Sequence, residues 1–399
     1  MKYVSVQDLV EQNQVVIKTG PFGTQLKASE YVSFGTPVLN VRNLGFATVN
    51  TDKLEMVSDG TLERLSAHKL VTGDIVFGRK GAVERHAFIS ESENGWMQGS
   101  DCIRLRVLAD SVNPRFLSYY FLTKRYRAFM MSMCSHGTTM ASLNQKIIEK
   151  IIVPLPERSI QDKVVEILAT LDKQIATNQK INENLEQQAQ AIFANEFLSL
   201  ESLPDGWKRG SLIDIADYLN GLAMQKYRPA ADEVGIPVLK IKELRQGCCD
   251  ATSELCSPNI KTNYIIHDGD VIFSWSGSLL VDFWCGGTCG LNQHLFKVTS
   301  SEYDKWFYYA WTKHHLERFI AVAADKATTM GHIKRDELSK AEVLIPNEAD
   351  YNRIGSLLHP IYDLIITNRI ESKKLAETRD TLLPKLMSGE IDISEVDYE

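Results

Sequence analysis

At 399 residues the chain is longer than one hydrophobic core supports, since cores stop growing near ~250–300 residues, and two or more domains are expected. Its 44% hydrophobic and 24% charged residues are ordinary for a globular protein, and no apolar run is long enough for a leader or a membrane helix, which predicts a cytoplasmic protein. A net charge of -7 speaks against a uniformly basic nucleic-acid binder, yet acidic residues gather in Glu390 to Glu399 and along the predicted helices, leaving room for a basic face.

In chain order, the first stretch carries a Gly20-Pro-Phe-Gly23 turn followed by Gln25 and Lys27, then short strand-like runs at Thr36 to Val41, Asp74 to Phe77 and Ile103 to Val107. Gly, Asn and Ser separate them. Arg42 follows the first run, and Arg79-Lys80 follows the second between two glycines. Phe116 to Phe121, and Trp306 to Trp311 in the second half, have helical spacing that suits core packing better than base stacking. Next come His136 and Thr138-Thr139-Met140, where the hydroxyls suit phosphate or base contacts and equally suit a helix cap with Met in the core. After Val153-Pro-Leu-Pro156, residues Val164, Leu168, Leu171, Ile175, Asn178, Asn182, Leu185, Ala189 and Ile192 alternate by fours and threes. That is the seam of a long paired helix.

The second half repeats the first. Gly35-Thr-Pro-Val-Leu-Asn-Val-Arg-Asn-Leu44 returns 200 residues on as Gly235-Ile-Pro-Val-Leu-Lys-Ile-Lys-Glu-Leu244, with five of ten positions identical. Gly73-Asp-Ile-Val-Phe77 returns as Gly269-Asp-Val-Ile-Phe273, and Tyr119-Tyr120 with Thr123-Lys124 returns as Tyr308-Tyr309 with Thr312-Lys313. Thr328-Thr329-Met330, the Val343 to Pro346 strand and Thr367-Asn368 all share an offset of 190 from their first-half counterparts. Collinear matches with drifting spacing are what duplication followed by loop insertion and deletion leaves. The same offset carries the seam to Ile354, Leu358, Ile361, Ile365, Asn368, Ser372 and Leu375 before Arg379 interrupts it.

Each helix is the natural partner of the other, with Asn178 and Asn368 at equivalent seam positions where a buried amide penalises wrong registers. At 1.5 Å per residue such helices reach roughly 50–60 Å, and antiparallel pairing returns the C-terminus beside the first domain. The reading is an α+β protein: two strand-rich domains joined by two long antiparallel coiled-coil helices in a circular, pseudo-twofold layout. Its parts are domain 1–156, helix 157–200, domain 201–346, helix 347–390 and an acidic tail 391–399.

Together the repeat, the Leu203-Pro-Asp-Gly-Trp207 start of the second half, Val153-Pro-Leu-Pro156 and Leu383-Pro-Lys-Leu-Met-Ser-Gly-Glu-Ile391 resemble the specificity subunit of type I restriction-modification enzymes over nearly the whole chain. The family's Glu-Gln pair opening each helix is kept only as Ile160-Gln161, and Tyr351 stands at the matching place in the second copy. The resemblance implies a non-catalytic phage-defence subunit. Each domain would read half of a split double-stranded DNA target, while the helices fix the gap and dock two methyltransferase subunits. S-adenosylmethionine would belong to those partners, this chain holding no cofactor, and a translocating nuclease subunit can join.

Base readout and phosphate positioning call for Arg, Lys, Asn, Gln, Ser or Thr on loops. The candidates are Gln25, Lys27, Arg42, Arg79, Lys80, His136, Thr138 and Thr139 in the first copy. In the second they are Gln225, Lys226, Lys240, Lys242, Ser274, Ser276, Thr328, Thr329, His332 and Lys334. Gly78-Arg79-Lys80-Gly81 against Ser274-Trp275-Ser276-Gly277 is the sharpest difference, as two readers of different half-sites require; solvated hairpin tips are the plainer reading. Arg42, Lys240 and Lys242 suit phosphates better than bases.

No metal is expected. The seven cysteines are odd in number, and Cys248, Cys249, Cys256, Cys285 and Cys289 lack Cys-x-x-Cys spacing or a His partner, so reduced thiols are the simpler account. Two rival classes stay open. Asn113-Pro-Arg-Phe116 faintly resembles the Asn-Pro-Pro-Tyr/Phe element of amino-methyltransferases, but no Gly-rich cofactor turn, Walker loop or His-Glu-x-x-His site accompanies it. A paired-helix scaffold for protein partners would explain the duplication equally well.

Overall fold

Alternating apolar residues in each half build the same strand pattern twice. In the first, Val15–Thr19, Cys102–Val107, Ile75–Gly78 and His86–Phe88 form one antiparallel sheet in that order. In the second, Asp217–Asn220, Leu295–Thr299, Val271–Ser274 and Leu280–Phe283 do the same. A further sheet contains one parallel pair in each copy, Val38 against Met97 and Val238 against Gly290. The computed structural model describes residues 2–393 apart from Phe22, Thr24, 135–140, 326–332 and Lys334.

By contacts the chain divides into two units, Met1–Asp172 with Glu377–Glu399, and Lys173–Ala376. Both divisions fall inside the long helices, Arg158–Phe193 and Glu348–Ser388. In the first unit, Val164 and Leu168 join Leu383, Leu386 and Met387 in a core completed by Phe116, Leu117 and Phe121. In the second, Ala189, Ile354, Leu358 and Ile365 pack with Trp306, Phe307 and Trp311. The aromatic runs are therefore core. Leu171, Ile175, Leu185, Ile361 and Leu375 are half-buried along the seam. Inside the second unit the helices run antiparallel, with Asn178 near Glu371 and Glu196 near Arg353.

The seam amides are buried as expected, but Asn178 and Asn368 do not meet. The Asn368 amide donates to Asn182 Oδ1 at 2.9 Å, Asn182 donates to the Ile365 carbonyl at 3.1 Å, and Asn178 donates to Glu371 at 2.8 Å. Antiparallel helices bring positions together whose numbers sum to a constant, so equivalent positions of two copies meet only at the crossing midpoint. Replacing Asn182 and Asn368 together by Leu is expected to raise stability by roughly 1–3 kcal/mol, since apolar side chains of similar volume outperform buried polar pairs. Thermal melting checks it; a lowered midpoint refutes the role assigned to the pair.

Arg379, which breaks the apolar seam, closes an ion pair with Asp172 on the facing helix at 2.9 Å. The other Asp172 oxygen accepts from Tyr119 Oη at 2.6 Å. In the second unit Arg369 binds both Glu186 at 2.9 Å and Asp282 at 2.6 Å, tying the helices to the sheet strand Leu280–Phe283.

His86 lies in the interior of the first domain, sharing a 2.9 Å hydrogen bond with Ser118 Oγ. Burial, helped by the nearby Arg115 charge, lowers its pKa to about 3, so it folds neutral. Once unfolded it takes a proton near pH ~6.5. The unfolded chain therefore binds more protons in the window between, and stability falls as the pH drops through it, by at most about 1.4 kcal/mol per unit. Denaturation across pH 4–6 should show a component that His86→Gln removes.

Candidate nucleic-acid interface

In each domain five segments converge at one end of the strands, held together by main-chain hydrogen bonds. In the first copy, Gly20 N donates to Cys102 O at 2.9 Å and Gly99 N to Leu39 O at 2.9 Å. Arg79 N donates to Asp101 O at 2.8 Å, and Leu143 N to Arg79 O at 2.7 Å. In the second, Gly221 N donates to Leu295 O at 3.0 Å, Asn292 N to Leu239 O at 3.2 Å, and Ile333 N to Trp275 O at 3.1 Å. The same frame is thus built twice. Two glycines are required by it: a Cβ on Gly20 would lie 1.9 Å from Gly99 O, and one on Gly221 would lie 2.2 Å from Asn292 O.

In both copies the hairpin tips rest on an earlier turn, the one that follows the strand Thr36–Leu39 or Ile236–Leu239. A Cβ on Gly78 would meet Val41 at 3.2 Å, and one on Gly277 would meet Ile241 at 3.6 Å. Arg79 and Lys80 are thereby brought beside the turn carrying Arg42, and Trp275-Ser276 beside the turn carrying Lys240 and Lys242. Each tip closes on a glycine in the left-handed region, Gly81 at φ 78° and Gly277 at φ 65°. Side chains other than glycine are strained there.

The frame sorts the candidates. Lys80 is exposed and forms no ion pair among the described residues, and Arg79 is half-buried beside it. Gln25, Lys27, Gln225 and Lys226 are exposed. Arg42 pairs with Glu55 at 3.1 Å, Lys240 with Glu254, and Lys242 reaches Asp250 at 3.3 Å and Thr252 at 2.8 Å. These three cations already face local acceptors and would have to exchange them for phosphate.

Ser274 has a different place from the one expected. It is fully buried and its hydroxyl donates to the Ser278 carbonyl at 2.9 Å, so it builds the tip rather than facing outward. Ser276 is also buried, bonded at 3.1 Å to His294 Nδ1. A Ser at a strand end looks the same in sequence whether it caps the turn or faces solvent, and the turn's carbonyls decide it. His136, Thr138, Thr139, Thr328, Thr329, His332 and Lys334 lie outside the described residues. Nearby in the chain, Ala141 to Leu143 and Ile333 lie against the hairpin tips.

One loop of the cluster carries no sequence motif. Gly99-Ser100-Asp101 in the first copy corresponds to Asn292-Gln293-His294 in the second, because Gly99 and Asn292 donate to Leu39 and Leu239 respectively. Gly-Ser-Asp against Asn-Gln-His is as large a chemical change as Arg-Lys against Trp-Ser; Asn292 is buried, and the half-buried Gln293 carries an amide that suits an adenine edge. Nothing in the sequence flags it, since the loop is held by backbone atoms that any residue supplies.

The Gln left over from the family's pair is structural. Gln161 is fully buried; its Oε1 accepts from Asn113 N at 2.8 Å and its Nε2 donates to Ser111 O at 3.0 Å and Pro156 O at 2.8 Å. Asn113 caps the helix Pro114–Tyr120. At the matching position the Tyr351 hydroxyl accepts from Asp304 N at 2.7 Å, and Asp304 stands at the N-cap position of Lys305–His314. Two chemically unlike side chains thus brace the same helix entrance.

Among the described residues no three His, Cys, Asp or Glu gather as a metal set, and no helix is long and apolar enough to cross a membrane. All seven cysteines are free.

Comparison with known proteins agrees with this architecture. A family model described as the type I restriction modification DNA specificity domain matches residues 17–187 and again 204–377. The chain is 26% identical over 312 residues to the type I restriction enzyme MjaIX specificity subunit of Methanocaldococcus jannaschii, covering 72% of this chain and 71% of that protein. It is 19% identical over 397 residues to the HindI specificity subunit of Haemophilus influenzae, covering 80% and 86%. Its fold is similar to the crystal structure of a type I restriction-modification S subunit from M. genitalium, with a TM-score of 0.59, 13% identity, and 97% and 96% of the two chains covered. With two copies of the specificity domain filling most of its length, the chain belongs to the family of type I restriction-modification DNA specificity subunits.

Proposed function

We propose that each domain reads one half of a split double-stranded DNA target through its loop cluster, while the paired helices set the gap and dock two methyltransferase subunits. One observation carries this reading: a single backbone frame, built twice, presents Arg79-Lys80 and Ser100-Asp101 in one copy and Trp275 and Gln293-His294 in the other. Identical frames with unlike tips are what two readers of unlike sequences need. Docking is supported by Leu357 and Leu364, which lie exposed seven residues apart on one helix, and by exposed Ile181 on the other. An apolar stripe on a paired helix is a seat for a further helix. In this role the chain is not itself a catalyst; S-adenosylmethionine resides on the methyltransferases, and a nuclease subunit can join the same assembly. The free cysteines suit a reducing cytoplasm.

The test is methylation-sensitive sequencing of DNA from cells carrying the complete system. Arg79→Ala with Lys80→Ala is expected to weaken or relax one half-site, at roughly 1–3 kcal/mol for each base interaction removed, and to leave the other unchanged. A change in both half-sites, or in neither, refutes the assignment. Methyl transfer from labelled cofactor by the chain alone would refute the non-catalytic role.

A further inference from the structure

The first unit contains an open cleft of about 470 Å³ that the proposed function does not use. Its floor is apolar, formed by Leu122, Pro154, Leu383 and Met387, with Tyr3 and Phe46 as walls. Both aromatic walls are more than two-fifths exposed, at 45% and 43%. Its rim is cationic. Arg125 stacks over Tyr3 with its guanidinium 5.6 Å from the ring centre, Arg127 over Phe46 at 5.5 Å, and Lys124 lies beside them. Lys124 and Arg125 are exposed and form no ion pair among the described residues, and the Arg127 Nε is buried without a hydrogen-bond partner. Arg379 and Asp380 at the edge neutralise each other.

The duplication supplies a comparison. The 190-residue offset that relates the helices places Leu383 and Met387 opposite Phe193 and Phe197 of the second unit. There the slot is sealed from within: Phe193 and Phe197 lie 5.0 Å apart, and Trp207 packs on Phe197 at 5.6 Å. The Trp207 indole donates to Asp350 at 2.9 Å. The sealing side chain arrives on Leu203-Pro-Asp-Gly-Trp207, an apolar segment with a carboxylate. In the first unit smaller Leu and Met side chains stand at these positions, the residue in strand register with Trp207 is Met1, outside the described residues, and the described residues leave the slot open with cations around it.

We propose that this cleft seats a segment of the methyltransferase subunit carrying an aromatic or large aliphatic side chain flanked by carboxylates. The inference rests on the docking reading above and specifies one seat for it. A protein segment satisfies both features of the cleft, covering the Leu-Met floor while its carboxylates meet the three rim cations. A DNA backbone would engage the rim and leave the apolar floor wet.

The experiment uses the full chain co-purified with its methyltransferase. Lys124→Glu with Arg125→Glu, both at exposed positions, is expected to weaken methyltransferase binding at least tenfold while the thermal midpoint of the isolated chain stays unchanged. A photo-reactive benzoylphenylalanine placed at position 124 is expected to crosslink to a methyltransferase peptide containing acidic and bulky apolar residues. Unchanged affinity in the double variant, or crosslinks running to DNA or to residues 394–399 of the chain itself, overturns the assignment. If the double variant binds normally while the unsubstituted complex is intact, only the cleft assignment falls. If the unsubstituted chain retains no methyltransferase, the docking reading falls and takes the cleft with it.

Discussion

Replacing Trp207 by Ala is expected to destabilise the second unit by about 3–5 kcal/mol, the range for deleting a large aromatic side chain from a packed core. The indole is 7% exposed, packs on Phe197, and spends its only donor on Asp350. Its loss leaves a void beside Phe193, Phe197 and Trp311, whose rings lie 5.0 to 5.3 Å from one another. It also releases Asp350, whose pKa is held below the usual carboxylate range chiefly by that indole N–H. Trp207→Phe should recover most of the packing and not the hydrogen bond, leaving a deficit of about 1 kcal/mol. Chemical denaturation followed by hydrogen exchange would locate the effect. A deficit under about 1 kcal/mol for the Ala variant would show that the slot collapses or is refilled, and would remove the contrast on which the open cleft of the first unit depends.

The second large effect is expected at Gln161. Changing it to Ala deletes three hydrogen bonds at a fully buried position and strands the Asn113 N–H and the Ser111 and Pro156 carbonyls. The expected loss is roughly 2–4 kcal/mol, because each stranded buried group costs its own desolvation. Tyr351→Phe, which removes one hydroxyl from the equivalent brace, should cost nearer ~1 kcal/mol. Since the chain has two units and need not unfold in one step, site-resolved hydrogen exchange is the proper measurement. Faster exchange confined to the first unit for Gln161→Ala and to the second for Tyr351→Phe is the expected pattern. Equal losses for both would mean that the helix entrances, rather than the buried amide, set the energetics.

Whatever repeats or has a period is legible in the sequence. The seam from Val164 to Ile192, its copy from Ile354 to Leu375, and the paired Gly-Asp strands each carry a pattern that burial imposes on side chains, and the structure has them as elements. The core role of the Phe116 and Trp306 runs is legible for the same reason. Three things are not. The partner of Asn368 depends on where antiparallel helices cross, a tertiary quantity. Ser274 turns inward because its acceptor is the carbonyl of Ser278, which any residue would provide. The Asn292-Gln-His294 loop has no counterpart motif, because only its main chain is repeated.

A protein built this way can change the chemistry of its loop tips without rebuilding its core. The Leu143 N–H grips the Arg79 carbonyl, and the Ile333 N–H grips the Trp275 carbonyl. The grip is indifferent to what the residue displays. A guanidinium and an indole can therefore exchange at one address without disturbing their neighbours, and under the proposed reading rewriting a half-site would be a matter of changing lettering on a fixed plate. The flanking glycines are the screws: Gly81 and Gly277 are where substitution would loosen the plate itself.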